Sequence, residues 1–417
     1  MRGVWQDLMV RVLLSDGSGL TARQVATQLS AAGHVVDALS PDPLALTRFT
    51  RHVRRVHRVP PYGADPFAWL DAALAVYAAG RFDVLFPTQE QVAVLSGSAG
   101  RLRSLGVATA VPPFDALSKV QDKLAASRTL AELGLPQPAA TVVTTAAELA
   151  ACRRLPAFVK TPIGTATTGV RHVTTAGELT ALAREWAAAG VFSGGGVLVQ
   201  SPAAGRLVMI QSVFCAGELV AFHASVRVRE GARGGASHKL SIGMPAVREQ
   251  VTDLGGALGW HGALSADAIL AQDGPVYIDI NPRLVEPGNA WRAGVDLVAA
   301  LLGVAAGAAP APQAPGAAGV ATHQLLLAVL GAAQHAGTRR AVLAELGSAA
   351  RRAGSYRRSA EELTPLRGDL RAVVPLAAAS LATLIRPATW RAFSSGAVTS
   401  YALTPQAWRA IIAAAAS

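Results

Sequence analysis

Short apolar runs alternate with longer amphipathic stretches from the start of the chain. Val10 to Leu14 is apolar, Ser15-Asp16-Gly17-Ser18-Gly19 follows, a helical pattern runs through Ala32, and Val35 to Leu39 is apolar again after Gly33-His34. Apolar runs of this length bounded by turn residues predict buried strands. The order strand, glycine-rich turn, helix, strand predicts the opening of a Rossmann-like sheet. These glycines do not complete a G-x-G-x-x-G spacing, so no dinucleotide is inferred. Phe82 to Pro87 predicts another parallel strand, with Thr88-Gln89-Glu90 at the carboxyl end where such sheets place ligands, and Val107 to Val111 predicts the last strand of this region. Arg48 to Arg58 packs five arginines and two histidines into eleven residues. It reads as a solvated helix face, with an anion-binding patch as the alternative.

A new pattern starts at Asp122-Lys123, where an amphipathic helix runs to Leu133 and is ended by Gly134 and Pro136. Ala157 to Lys160 is a strand leading into the loop Thr161 to Val170. Its small, hydroxylated side chains and its glycines at 164 and 169 let backbone N–H groups approach phosphate oxygens, although a flexible surface loop has the same composition. Val197 to Gln200 is a strand broken at Ser201-Pro202. Leu207 to Phe214 and Glu218 to Val228 form an antiparallel pair around Ala216-Gly217, and Gly234 to Lys239 reads as a second glycine-rich loop.

The stretch Asp267 to Arg283 predicts a hairpin with strands Asp267 to Ala271 and Val276 to Ile280 joined at Gln272-Asp273-Gly274-Pro275. Centred on Asp273, it pairs Ala271 with Pro275, Ile269 with Tyr277 and Asp267 with Asp279; a glycine bulge in the turn would shift this register by one residue and weaken the pairing without abolishing it. Directly opposed side chains lie roughly 4.5–5.5 Å apart at Cβ, so like charges there need a cation between them. Asn281 and Arg283 continue the face of Asp279, while Ile278 and Ile280 point to the core. The set forms an oxygen cage of the kind Mg²⁺ uses beside phosphates, and a solvated surface hairpin is the alternative.

At 417 residues the chain has room for two to four domains. Residues 1–12 carry Arg2, Asp7 and Arg11, which does not suit a signal peptide, and the charge-free stretch from Leu297 to Thr338 is broken by prolines. Cys152 and Cys215 are the only cysteines, so no disulfide framework is expected and a cytoplasmic setting is the default. Of 38 basic residues only Lys119, Lys123, Lys160 and Lys239 are lysine, and Asn281 and Asn289 are the only asparagines. In a chain that uses arginine almost throughout, a retained lysine marks a place for a compact point charge. A Pro/Ala linker over 307–318 precedes a mainly helical segment with 11 arginines against 4 acids, net +7 of the chain's +11. Ser359-Ala360-Glu361-Glu362 fits a capping box there. A membrane surface or other anionic partner suits that charge, but a coding bias toward arginine also produces it and is the favoured reading. No reader motif accompanies it, so nucleic acid is not expected.

In order, Asp122-Lys123, AFVK with its glycine-rich loop, VLVQ with Gly205, the spaced aspartates and INPR resemble the ATP-grasp superfamily, in particular its carbamoyl-phosphate synthetase, biotin carboxylase and D-aspartate ligase branches. The resemblance covers roughly residues 1 to 300. It implies an α/β fold with an α+β ATP-grasp core: a Rossmann-like domain over 1–117, a two-lobed ATP-grasp domain over 118–306, the linker, and a helical domain over 319–417. It also implies that ATP and Mg²⁺ (or Mn²⁺) are the cofactors. Lys123 and Lys160 would hold the α- and β-phosphates, and Gly164, Thr165, Thr168 and Gly169 would form the lid. Gln200, Ser201 and Ala203 would read adenine, and Asp267, Asp279 and Asn281 would be the metal ligands. Arg283, with Lys160, would act in phosphoryl transfer. The partners are then a small carboxylate and an amine or other nucleophile, with homodimer formation compatible. Arg227, Arg229, Gly235, His238 and Lys239 are candidates for holding the acceptor. The family has Glu at both metal positions and an acid at the hinge. The Asp and Gln found here motivate an alternative, a nucleotide sensor without turnover.

Overall fold

The computed structural model describes residues 9–165, 168–363 and 368–416, and for 394–397 the backbone alone. Three sheets organise it. The first is wholly parallel, with strands β1 (Arg11–Leu14), β2 (Val35–Ser40), β3 (Arg55–Arg58) and β4 (Val84–Phe86) in the order β3-β2-β1-β4. Leu13, Leu14, Leu39 and Phe86 are buried, as expected where helices cover both faces. The arginine run departs from its expected helix and supplies β3. An edge strand tolerates charge on its outer positions, and buried Asp37 needs cations. Arg54 donates to both of its oxygens at 2.9 Å, and His57 Nε2 lies 2.8 Å from Oδ2. Val107 to Val111 does not form the expected strand. It touches the sheet through one bond, Leu85 N–H to the Ala108 carbonyl at 2.9 Å, and Pro112 and Pro113 follow without donors.

The second sheet is antiparallel: β5 (Ala140–Val143), β6 (Ala157–Lys160), β7 (Val170–Val173) and β8 (Val197–Gln200), in the order β5-β8-β6-β7. Helices Ala146–Ala151 and Ala176–Ala188 cover it through Leu149, Leu179, Leu182 and Trp186. The helix at Lys123–Glu132 forms as expected. Asp122 caps it, its Oδ1 accepting from Leu124 N–H at 2.7 Å and Ala125 N–H at 3.2 Å.

The third sheet is the centre of the molecule. It comprises β9 (Arg206–Cys215), β10 (Glu218–Glu230), β11 (Ala236–Ser241), β12 (Gly262–Ala271), β13 (Gly274–Asn281), β14 (Ala321–His323) and β15 (Ser359–Glu361), in the order β13-β12-β9-β10-β11-β14-β15. Ser237, His238 and Lys239 therefore lie in a strand paired with β10, not in a loop. The expected capping box is also a strand. Ser359 Oγ meets His323 Nδ1 at 2.8 Å, and Glu361 accepts from Leu325 and Leu363 N–H groups at 2.9 Å each. The last hundred residues carry helices Leu325–Ala336, Arg339–Ala350, Val373–Ile385, Trp390–Tyr401 and Pro405–Ala415, and also extend the central sheet through β14 and β15. The Pro/Ala stretch is strapped down, with Gln313 N–H donating to Val220 O at 2.7 Å and Ala317 N–H to Ala293 O at 2.8 Å. The final helix returns to the first region, where Trp408 packs on Phe114. Both cysteines are free thiols, and no described helix is long and apolar enough to cross a membrane.

Candidate functional site

The β12–β13 hairpin sets Asp267 opposite Asp279, and Ser265 opposite Asn281. Its outer half differs from the expected register: Ala271 pairs with Gly274, Ile269 with Val276 and Ala268 with Tyr277. The two-residue tip is Gln272-Asp273, and Gly274 at φ +120° takes a conformation that other residues rarely adopt. A bulge at Ile278 absorbs the one-residue offset and reverses the strand's parity. Tyr277 and Ile280 therefore go to the core, instead of Ile278 and Ile280, and Asp279 stays on the face of Asp267. The same bulge exposes the Ile278 carbonyl, which accepts from Lys160 Nζ at 2.7 Å.

Lys123, at the start of its helix, donates from Nζ to Asp279 Oδ1 at 2.8 Å. Burial opposes ionisation of Asp279, but Lys123 and Lys160 outweigh it and hold the carboxyl below its usual range. Asp267 is pushed up to about 7 by burial and by the Asp279 charge. Burial also works against the Lys123 ammonium, yet Asp279 holds its pKa up. Lys160 is pushed down to about 8: burial dominates, and its hydrogen bond goes to a neutral carbonyl rather than a carboxylate.

Asp267, Asp279, Asn281 and Arg283 form one end of a cavity of ≈ 680 Å³. Its walls come from four parts of the chain: the turn after β1 with Gln89, the segment Asp42 to Phe49 after β2, the Ala232–Gly235 turn, and the helices that begin at Leu325, Val373 and Trp390. Arg283 is buried, and its Nε donates to Glu90 Oε1 at 3.0 Å. Burial opposes its charge, and Glu90 restores it. Glu90 lies just after β4, where the sequence placed a ligand position without assigning this residue. Tyr401 and Glu286 also line the cavity, and nothing in the sequence singled them out. Glu286 stands at φ +51°.

The loop of Gly164, Thr165, Thr168 and Gly169 closes the β6–β7 hairpin beside Lys160. Thr161 N–H donates to Gly169 O at 2.9 Å, and Thr168 N–H to Thr165 O at 3.0 Å; residues 166–167 of the expected lid lie outside the described residues. Lys123 N–H donates to Pro162 O at 2.9 Å, tying this loop to the lysine helix. Gln200 is buried at the end of β8, followed by Ser201 and Ala203 in an extended crossing. Gly205 permits that crossing, because a Cβ there would come within 2.1 Å of the Leu270 carbonyl on β12.

The acceptor candidates are not brought together. Gly235 lines the cavity, whereas Arg227, Arg229, His238 and Lys239 do not. Arg227 donates to Gly234 O at 2.6 Å and pairs with Glu230. Arg229 forks onto Glu345, and His238 is stacked with His323 and meets Tyr356 edge-on. Lys239 Nζ is buried between Glu286 and Glu362, 2.8 Å from each. The β10–β11 bulge and the docking of β14 beside β11 turn these groups into internal partners. Lys119, the fourth lysine, is exposed.

No family model matches the chain, and no curated protein matches it. Solved structures do. The biotin carboxylase domain of the Hydrogenobacter thermophilus 2-oxoglutarate carboxylase, solved as a dimer with MgADP and bicarbonate, is 17% identical; the match covers 73% of this chain and 72% of that one, at a TM-score of 0.57. An L-amino acid ligase from Bacillus licheniformis is 17% identical over 72% of this chain and 75% of its own, at 0.55. The N5-carboxyaminoimidazole ribonucleotide synthetase of Thermus thermophilus is 20% identical over 75% and 81%, at 0.54. With three sheets in this order and these structural matches, the chain has the ATP-grasp fold.

Proposed function

We propose that the chain is an ATP-dependent carboxylate ligase. The observation that carries this reading is the convergence of Lys123 and Lys160 on the hairpin that opposes Asp267 to Asp279, at the end of a cavity large enough for a substrate. Residues 118–306 would bind nucleotide, with residues up to 117 and from 319 onward completing the cavity.

The donor set fits a hard divalent cation. Asp267, Asp279 and Asn281 supply oxygens on one face, and no cluster of three or more His, Cys, Asp or Glu exists among the described residues. Water and phosphate oxygens would complete the shell, as Mg²⁺ or Mn²⁺ prefers. Such an ion neutralises charge on the phosphoryl oxygens when bound. Lys160, its ammonium held by a neutral carbonyl, has capacity for an anionic phosphate, while Lys123 bridges Asp279 to the same region. Arg283, fixed by Glu90, presents a guanidinium to the cavity. In the reaction, a substrate carboxylate oxygen bonds to the γ-phosphorus as the bond to ADP breaks. A nucleophile then attacks the acyl carbon, and phosphate leaves. The chain needs no nucleophile of its own, only positioning and positive charge in a closed site.

The reading is tested by incubating the protein with Mg-ATP and a panel of carboxylic acids and measuring ADP. Acid-dependent release that is lost in Asp279→Ala supports it. The sensor reading is motivated by Gln200, buried where the family carries an acid, and by Pro202, which lacks a donor. It predicts nucleotide binding with no release for every acid.

A further inference from the structure

The same cavity points to the chemistry of the acid, an inference that rests on the ligase reading. One end is charged: Asp267, Asp279, Asn281 and Arg283. Ser18, Thr21, Gln89 and Arg233 add polar groups to the lining, but much of the remaining wall is apolar. Leu46 and Phe49 line it from the segment after β2, Leu327 and Leu330 from the helix Leu325–Ala336, and Phe393 and Val398 from the helix Trp390–Tyr401. The acids that share this wall are already engaged. Asp42 Oδ1 accepts from Leu44 N–H at 2.8 Å, and Glu286 Oε2 accepts from Lys239 Nζ at 2.8 Å and from the Gln324 amide. The volume, ≈ 680 Å³, falls within the roughly 300–1,000 Å³ of small-molecule sites.

A small polar acid would leave these apolar walls in contact with water. An acid with an apolar body would cover them and keep its carboxylate at the aspartate end, which is the end that touches the lysines through Asp279. We propose that the activated substrate is a monocarboxylic acid with a sizeable apolar body, whose carboxylate is held by the Arg283 guanidinium while its hydrocarbon part lies between the Phe49 segment and the C-terminal helices. The residues from 319 onward thus select the acid, although the phosphate-binding groups all lie before residue 284.

Straight-chain monocarboxylic acids from acetate to decanoate, with succinate and aspartate as polar comparators, test this directly. The readout is Mg-ATP-dependent ADP formation with hydroxylamine as the nucleophile that displaces phosphate from the acyl group, together with calorimetric binding of the same acids. KM and Kd are expected to fall by up to roughly fourfold per methylene until the cavity is full. Ala378, an exposed alanine on the wall, offers a filling variant that leaves the core intact. Ala378→Trp is expected to raise KM for octanoate roughly tenfold and to leave acetate within twofold. Phe393→Ala, at an exposed position on another helix, is expected to weaken the long acids alone.

ADP formation with succinate or aspartate but not with the long acids overturns the inference and leaves the ligase reading standing. A chain-length dependence found with aliphatic amines instead of acids also overturns it. Chain-length-dependent binding of acids with no ADP from any of them supports the site and overturns the ligase reading. Absence of both binding and turnover overturns the two together.

Discussion

Two buried lysines show what separates a site from a scaffold. Lys160, on β6, and Lys239, on β11, are both almost wholly shielded from water. Lys239 meets two carboxylates, and although burial opposes its charge, Glu286 and Glu362 hold its pKa above the ordinary lysine value. Lys160 meets one peptide carbonyl, and burial pushes it down to about 8. One ammonium has its countercharges built in; the other meets a neutral carbonyl. The surroundings repeat the contrast. Around Lys239 the network continues through Gln324, Thr322 and Asn289 without reaching an unpaired charge, whereas around Lys160 it ends at the opposed aspartates and an open cavity. Buried ionic groups, taken by composition alone, look equally functional; counting their partners separates them.

Substitution should pull the two apart. Lys160→Met is expected to reduce acid-dependent ADP formation by about 10²–10³-fold, the scale of losing a fixed electrostatic contact to the reacting phosphoryl group. Its denaturant midpoint should change little or rise, because a poorly paired buried cation is removed; steady-state assays and urea melts report the two quantities. Lys239→Met leaves Glu286 and Glu362 facing each other and is expected to cost about 3–5 kcal/mol of stability in the same melts. A smaller effect separates His238 from the site. Burial pushes it down to about 4, with the charges of His323 and Arg229 adding to this, so it stays neutral in the folded chain below the ordinary histidine value of 6.5. The unfolded chain binds the extra proton, and this contribution to stability, complete above about pH 6.5, is lost as pH falls toward 4. His238→Gln should therefore gain on the wild type by up to about 1.4 kcal/mol per pH unit in that window, measured as the difference between their unfolding free energies.

The two regions were unequally legible. The aspartate pair is expected from a turn signal and a two-residue period, and it is found because two departures cancel: the turn is offset by one residue and the bulge at Ile278 restores the pairing of Asp267 with Asp279. The register beyond it did not follow. The turn is offset by one residue from the expected centring on Asp273, and the compensating bulge falls at Ile278 rather than at the turn glycine, where the side chain gives no sign of it. The arginine run reads as helix by its charge, yet it becomes β3 because Asp37, on the preceding strand, needs Arg54 and His57. Arg229, His238 and Lys239 read as open groups because their partners, Glu345, His323 and Glu362, lie far further along the chain. The cavity wall follows the same rule: Phe49 and Phe393 line one space from distant parts of the chain.

The central claim is that Asp267 and Asp279 hold a divalent ion that in turn holds the nucleotide at Lys123 and Lys160. Calorimetric titration of ADP with and without Mg²⁺, in the wild type and in Asp279→Asn, tests it most directly. Binding should strengthen at least tenfold with Mg²⁺ in the wild type and lose that dependence in the variant. Equal affinity in all four titrations contradicts the account.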